Sequence, residues 1–277
     1  MNTIDAPNHD NTALMPPTVS IIMAAFNAST TIASSINSVL SQTFHGWELI
    51  IYNDCSTDNT ASIVETYADK EPRIRLYTGK QNVGVAMARN HAICKAKGQW
   101  LAFLDSDDLW QEGKLEKQLY FAKNIGAIIT YTSTAYMNES GRMFEYILPA
   151  RRVLSFKTLL RRNIMSCSSI MIRRDAMIPF PQGYMHEDYA VWMQIVKKVG
   201  HAYGLNEPLL IYRISRQSKS SGRVRSAKMT FGAYRQVGYG VLTSLVLTIR
   251  YAIHSIPKRL RIKRRTSAAA DKLSGSC

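Results

Sequence analysis

Two hydrophobic rhythms alternate along the first hundred residues. Val19 to Ala25 is a short apolar run rich in β-branched residues and predicts a buried strand. Ser29 or Thr30 follows as a helix cap, and Ile32, Ile36, Val39 and Leu40 then fall on one helical face. The pattern repeats: strand at Trp47 to Tyr52, helix at Thr57 to Ala68, strand at Arg73 to Tyr77. An Ala-rich helix at Val85 to Ala96, suited to close packing on a sheet, precedes a strand at Trp100 to Leu104. Strand–helix alternation of this kind predicts an α/β fold, a mostly parallel sheet flanked by helices on both faces. Ligands of such sheets bind beyond the carboxyl ends of the strands, so the residues just after each strand are the places to look for chemistry.

The first strand ends in Ala24-Ala25-Phe26-Asn27, with no glycine. The close backbone approach that a G-x-G-x-x-G turn gives a pyrophosphate is therefore unavailable, which disfavours an ordinary dinucleotide-binding domain. The strand from Trp100 ends in Asp105-Ser106-Asp107-Asp108. Side chains two apart on extended chain face the same way, so Asp105 and Asp107 can converge. Like charges that close repel unless a cation sits between them, and hard carboxylate oxygens suit Mg²⁺ or Mn²⁺. A solvated turn, with Asp107 or Asp108 capping a helix from Leu109, is the plainer alternative. Asp54, in Asn53-Asp54-Cys55-Ser56-Thr57-Asp58, is not needed as a cap where Thr57 or Asp58 can serve, and could bind the N–H of a base or form an Asx-turn. Arg89, after the Asn82-Val83-Gly84 turn, could reach a phosphate or pair with an acid.

Length and composition allow one large domain with a real core, or one domain plus an appendage: 277 residues, 46% of them hydrophobic. Cys55, Cys94, Cys167 and Cys277 show no CxxC or metal-ligand spacing, which fits a reducing compartment. Met1 to Pro17 is polar, without the basic and apolar regions of a signal peptide, and reads as a disordered lead-in. The net charge of +15 is localised. Through Tyr212 basic and acidic residues nearly cancel, whereas Arg213 to Arg265 holds 14 Lys and Arg and no acid. Within that third, Gly238 to Ile256 is apolar and runs into Lys258, Arg259, Arg261, Lys263, Arg264 and Arg265. A helix packed on the core, a spanning helix and an interfacial helix on anionic lipid all accommodate it. The interfacial reading uses both the apolar face and the basic flank. Nucleic acid is disfavoured, since no aromatic platform is interleaved with the charges.

These motifs in this order resemble glycosyltransferase family 2, inverting enzymes with a GT-A fold. The resemblance rests on Val19-Ser-Ile-Ile through Phe26-Asn27, Asn53-Asp54 through Asp58, Asn82-x-Gly84 with Ala88-Arg89-Asn90, Phe103-Leu-Asp105-Ser-Asp107-Asp108, and His186-Glu187-Asp188-Tyr189 with Trp192. Tyr212-Arg213-Ile214-Ser215 has Ser where that family usually has His; Cys55 stands where Gly or Ala is usual, and Asn53 where Asp is frequent. The resemblance implies a GT-A domain at residues 18–215; the charge and apolar pattern adds a basic C-terminal helical extension at 216–277. It implies a donor pocket of Phe26, Asn27, Asp54, Arg89 and Asp105, with Asp54 on the nucleobase. Asp107, with Asp105, would coordinate Mg²⁺ or Mn²⁺ on the diphosphate, and Asp188 would be the general base. The expected activity is transfer from a nucleotide-diphosphate sugar, a UDP-sugar first, to a lipid-linked or polysaccharide acceptor, by a protein lying peripherally on the cytoplasmic face of a membrane. The alternative, a non-catalytic nucleotide-sugar or nucleic-acid binder, would be expected to lose one of Asp54, Asp107 or Asp188, and all three are present.

Overall fold

The computed structural model describes residues 16–214 and 222–254. The sequence expectations for residues 1–15, for Ser215 and for the basic run after Pro257 lie outside them. The first half follows the predicted alternation: β1 (Val19–Ala25), α1 (Ile32–Leu40), β2 (Trp47–Asn53), α2 (Thr60–Ala68), β3 (Ile74–Thr78), α3 (Val85–Ile93) and β4 (Trp100–Phe103). The second half is β5 (Leu109–Trp110), α4 (Lys114–Asn124), β6 (Ile129–Met137), β7 (Met143–Leu148), β8 (Val153–Ser155), α5 (Phe156–Leu159), β9 (Ile170–Arg173), α6 (Glu187–Val199), β10 (His201–Arg213) and α7 (Arg223–Gln236). Residues 241–254 are helical again.

One sheet runs in the order β3-β2-β1-β4-β9-β6-β10-β5, with β7 on β6 and β8 on β10. The pairs β2–β3, β1–β2 and β1–β4 are parallel, as the alternation requires. Beyond β4 the sheet is mixed: β9 runs antiparallel to both β4 and β6, and β10 runs parallel to β6. The helix expected at Leu109 is corrected. Leu109–Trp110 is a short strand against Leu210 and Ile211, and α4 starts only at Lys114.

Alternate residues of each strand feed opposite faces. Ile21, Met23, Leu49, Ile51, Ala102 and Leu104 pack with α1, α2 and α4. Ile22, Ile50, Leu101 and Phe103 pack with α3 and α6. The strands β1, β2 and β4 are thus apolar on both sides, which explains their near-continuous hydrophobic runs. Because β1 is paired on both edges, the segments after β1, β2 and β4 emerge side by side.

Candidate active site

Two of those segments are stapled together by their own side chains. Asn27, in the left-handed region at φ 48°, donates its N–H to Ser56 Oγ at 3.0 Å, and its Oδ1 accepts from Thr57 N–H at 2.8 Å. Asp58 accepts from the N–H groups of Ser29 and Thr60, both at 3.0 Å, tying the start of α2 to the loop after β1. That bond sets the first turn of α2 at Thr60, three residues later than periodicity alone predicts. Phe26 is left half exposed at the mouth.

Asp54 is buried, and its two carboxylate oxygens accept the N–H groups of Val83 and Gly84, each at 2.8 Å. It therefore does serve as a cap, not for the helix that follows it in sequence but for α3, which opens after Gly84. Pairing of both oxygens with the start of a neighbouring helix is invisible in the local sequence. Cys55 beside it lies at φ 61°, a conformation costly for any residue with a Cβ. Cys55→Gly is expected to raise stability by about 0.5 kcal/mol, the relief of that strain less the entropy glycine adds to the unfolded chain. A urea midpoint unchanged or lowered in the variant would refute this.

Arg89 joins the two ends of the site. It is buried, one Nη donating to Asp105 Oδ1 at 2.5 Å and the other to Glu187 Oε1 at 3.4 Å, with the guanidinium over the Phe180 ring. Of its two expected roles, pairing with an acid is the one seen within the chain. The next residue, Asn90, clamps Phe180 by giving its Nδ2–H to the carbonyl at 2.9 Å and taking the N–H at 2.8 Å. Adjacent residues of α3 thus hold the tip of β4 and the segment leading to α6.

The three acids after β4 part company. Asp108 turns inward, accepting from Ser168 Oγ at 2.6 Å and from Arg213 N–H at 3.0 Å. Burial and then the charges of Asp107 and Asp105 push its carboxyl up. Ser168 also accepts the N–H of Asp105 at 3.1 Å, while Arg213 Nε donates to the Asp107 carbonyl at 2.9 Å. Asp105 and Asp107 therefore project from a loop pinned at both ends. Burial, then the neighbouring Asp105, pushes the Asp107 carboxyl up to about 6. A carboxylate held at that cost beside a second one is a site that a cation relieves. Two hard carboxylate oxygens are donors of the kind that suit Mg²⁺ or Mn²⁺. Among the described residues no cluster of three or more His, Cys, Asp or Glu stands as an all-protein metal cage.

Asp188 opens α6 next to Glu187. Burial, then Glu187, raises its carboxyl above the ordinary range, while His186 and Arg89 pull it down. The helix is wedged from behind: Tyr189 Oη donates to Leu159 O at 2.6 Å, and Gly232 of α7 lies so close to Tyr184 that a Cβ there would meet its carbonyl at 2.7 Å. Sequence reasoning named Asp105, Asp107, Asp188 and Arg89 but missed Glu187 as Arg89's second partner, and Ser168 and Arg213 as the holders of the acidic loop. Ser168 carries no local signal at all. Arg213 does, lying in the Tyr-Arg pair at the end of β10.

The family model for glycosyl transferase family 2 matches residues 20–179. TuaG of Bacillus subtilis (strain 168), named as a glycosyltransferase of teichuronic acid biosynthesis, is 36% identical over 247 residues, 88% of this chain and 98% of its own. The Escherichia coli UDP-Glc:alpha-D-GlcNAc-diphosphoundecaprenol beta-1,3-glucosyltransferase WfgD is 32% identical over 243 residues, 87% of this chain and 94% of its own. The fold is shared with S. aureus TarS 1–349 in complex with UDP-GlcNAc, at TM-score 0.65 and 19% identity over 84% of this chain and 71% of that one. It is shared too with the mannosyltransferase PcManGT from Pyrobaculum calidifontis in complex with GDP-Man and Mn2+, at TM-score 0.65 and 15% identity over 95% and 77%. A matched model spanning more than half the chain, near-full-length relatives above 30% identity and a shared GT-A architecture agree: this chain belongs to glycosyl transferase family 2.

Proposed function

We propose that the protein is an inverting glycosyltransferase that moves a sugar from a nucleoside-diphosphate donor, a UDP-sugar first, to a hydroxyl of a lipid-linked or polysaccharide acceptor in cell-surface glycan synthesis. The observation that carries the reading is Arg89, one buried cation spanning Asp105 after β4 and Glu187 beside Asp188. It joins a donor-side acid to the acids that open α6, the arrangement a displacement needs. Asp188 takes the proton of the acceptor hydroxyl. The hydroxyl oxygen attacks the anomeric carbon from the face opposite the phosphate, and the bond to the phosphate oxygen breaks with its electron pair on the nucleoside diphosphate. Asp107, with Asp105, would hold a Mg²⁺ or Mn²⁺, which supplies charge neutralisation for that leaving group. Phe26, Asn27 and Asp54 border the crevice at the ends of β1 and β2, where Asp54 shapes the loop of Val83 and Gly84 that would face the nucleobase.

The acceptor class is supported by the names of the relatives, one of them acting on a diphosphoundecaprenol-linked sugar. A membrane-borne acceptor of that class supports a peripheral position for the enzyme on the cytoplasmic face of a membrane. No helix among the described residues is long and apolar enough to cross one. A screen of UDP-, GDP- and dTDP-sugars with Mn²⁺ tests the reading. A UDP-sugar is expected to raise the melting temperature and to be slowly hydrolysed. Failure of every nucleotide sugar to do either would overturn it.

Asp107→Ala is expected to abolish cation-dependent donor binding and leave the fold intact. The sign follows from the raised carboxyl. An acid whose pKa is higher folded than unfolded costs stability once ionised, so its removal leaves the melting temperature unchanged or higher at neutral pH. In the parent protein protons and cation compete, so binding should weaken by up to about tenfold per pH unit below about 6. Calorimetry with UDP and Mn²⁺ giving the same affinity for variant and parent would refute the role.

A further inference from the structure

The helical segment at 241–254 is amphipathic in the wrong sense for a globular protein. A surface helix ordinarily turns its apolar stripe to the core. Here Ser244 and Thr248 are buried against the body, with Leu247 and Tyr251 packed beside them. Their hydroxyls cost little there, because each is satisfied by nearby backbone: Thr248 Oγ1 donates to Ser244 O at 2.7 Å, and Ser244 Oγ to Tyr239 O at 3.4 Å. The opposite face carries Val241, Leu242, Leu245, Val246, Ile249 and Ile253, each 51–79% exposed. At 3.6 residues per turn these six fall within an arc of about 140°. Periodicity alone groups these residues on one face; only the fold shows that face turned outward.

We propose that this outward face docks on an anionic lipid bilayer surface, lying in the headgroup region with its axis parallel to the membrane. The proposal rests on the reading of the protein as a transferase for a membrane-borne acceptor, and it names the surface through which the enzyme meets that membrane. Two observations select lipid over a protein occupant. Among the described residues the helix has fourteen, short of a hydrocarbon core of roughly 30 Å and within the length of an interfacial helix. In the sequence the charge here is of one sign: Arg250 lies on the helix itself, six Lys and Arg occur between Lys258 and Arg265, and no acid occurs from Arg213 to Ala270. Apposing two copies would bring two such segments together and repel; an anionic leaflet attracts both.

The docked helix is tied to the catalytic end of the molecule through aromatic rings. Tyr251 packs on Tyr189 with centroids 5.6 Å apart, and Tyr189 on Tyr234 of α7 at 6.0 Å. Tyr189 follows Asp188 directly, so the helix that meets the membrane also buttresses the start of α6, where an acceptor hydroxyl would be activated.

The test uses the full chain and vesicles of phosphatidylcholine, alone or mixed with phosphatidylglycerol. The parent is expected to co-sediment with the mixed vesicles, weakly with phosphatidylcholine alone, and less as salt shortens the screening length below about 10 Å. Leu242→Glu with Val246→Glu should cut partitioning roughly 10²-fold, since both side chains would enter the apolar layer. Because both are exposed, the thermal melt and the release of UDP from a UDP-sugar should stay as in the parent. The milder pair Leu242→Ser with Leu245→Ser gives the same reading if the charged pair misfolds. Equal partitioning of parent and folded variant overturns the proposal. So does equal binding to both vesicle types, or a parent dimer in sedimentation equilibrium that the variant loses. Loss of UDP release in parent and variant alike would strike the enzymatic reading and leave the vesicle result standing.

Discussion

Asp188→Asn is expected to bind the donor normally and to turn over about 10²-fold or more slowly, the range for loss of a general base. The substitution is close to isosteric, and an amide oxygen can still accept the Tyr189 N–H that Asp188 Oδ1 takes at 2.7 Å. Stability should not fall. The carboxyl is raised by burial and by Glu187, so its ionised form costs folding energy at neutral pH, and the neutral amide removes that cost. The same shift sets the pH profile of the parent enzyme. A base must be unprotonated to act, so the acid limb of kcat should lie above the ordinary carboxylate range. Steady-state rates with an authentic acceptor, beside donor affinity by calorimetry, check this. Turnover near that of the parent would remove Asp188 from the role.

Arg89→Met should be the most destabilising single change in the site. It leaves Asp105 and the buried Glu187 without the cation that spans them, and unpairing buried charges costs about 3–5 kcal/mol. For a domain of this size that lowers the melting temperature by about 10 °C. Adding Glu187→Gln should recover part of the loss, because the charge that faced Arg89 goes with it. Arg89→Lys should fall between, since one ammonium cannot reach two carboxylates as a planar fork does. A merely structural arginine would leave the pH profile alone, whereas Arg89 lowers the Asp188 carboxyl. The acid limb of any residual activity should therefore move to higher pH in Arg89→Met. A melt within a degree of the parent, or an unmoved acid limb, would show that the bridge does not have this function.

How legible the site was depends on how far apart its partners lie in the chain. Asp105, Asp107 and Asp54 announce themselves because each follows an apolar run that could only be a strand, and strand ends in such sheets face the ligand. The pairing of Arg89 with Glu187 joins residues 98 apart, and the hold of Arg213 on the acidic loop joins residues 106 apart. No local pattern encodes such contacts. They exist because β4, β9, β6 and β10 lie in an order the chain does not spell out, none of the three junctions between them joining strands consecutive in sequence. Asp54 shows the limit from the other side. Its turn was readable, but its service as cap to α3 needed β2 and the loop after β3 to be neighbours.

By itself the sequence determined the rhythm of strands and helices through β4, the acids at the strand ends and the isolation of positive charge after Tyr212. These rest on side-chain period and residue type, which are local properties. Only the tertiary structure decided that Asp108 turns fully inward while Asp107 stays half-buried beside Asp105, that one arginine joins both ends of the site, and that the helix at 241–254 shows its apolar face to the outside. Each of those outcomes is a competition for burial between groups distant in sequence. Burial is settled by what packs where: Ser168 and Arg213 give Asp108 two partners within the core. Tyr189 and Tyr234 form the surface on which Tyr251 rests, beside the buried Ser244 and Thr248. The apolar residues left over are then turned outward, whatever their hydropathy alone would prefer.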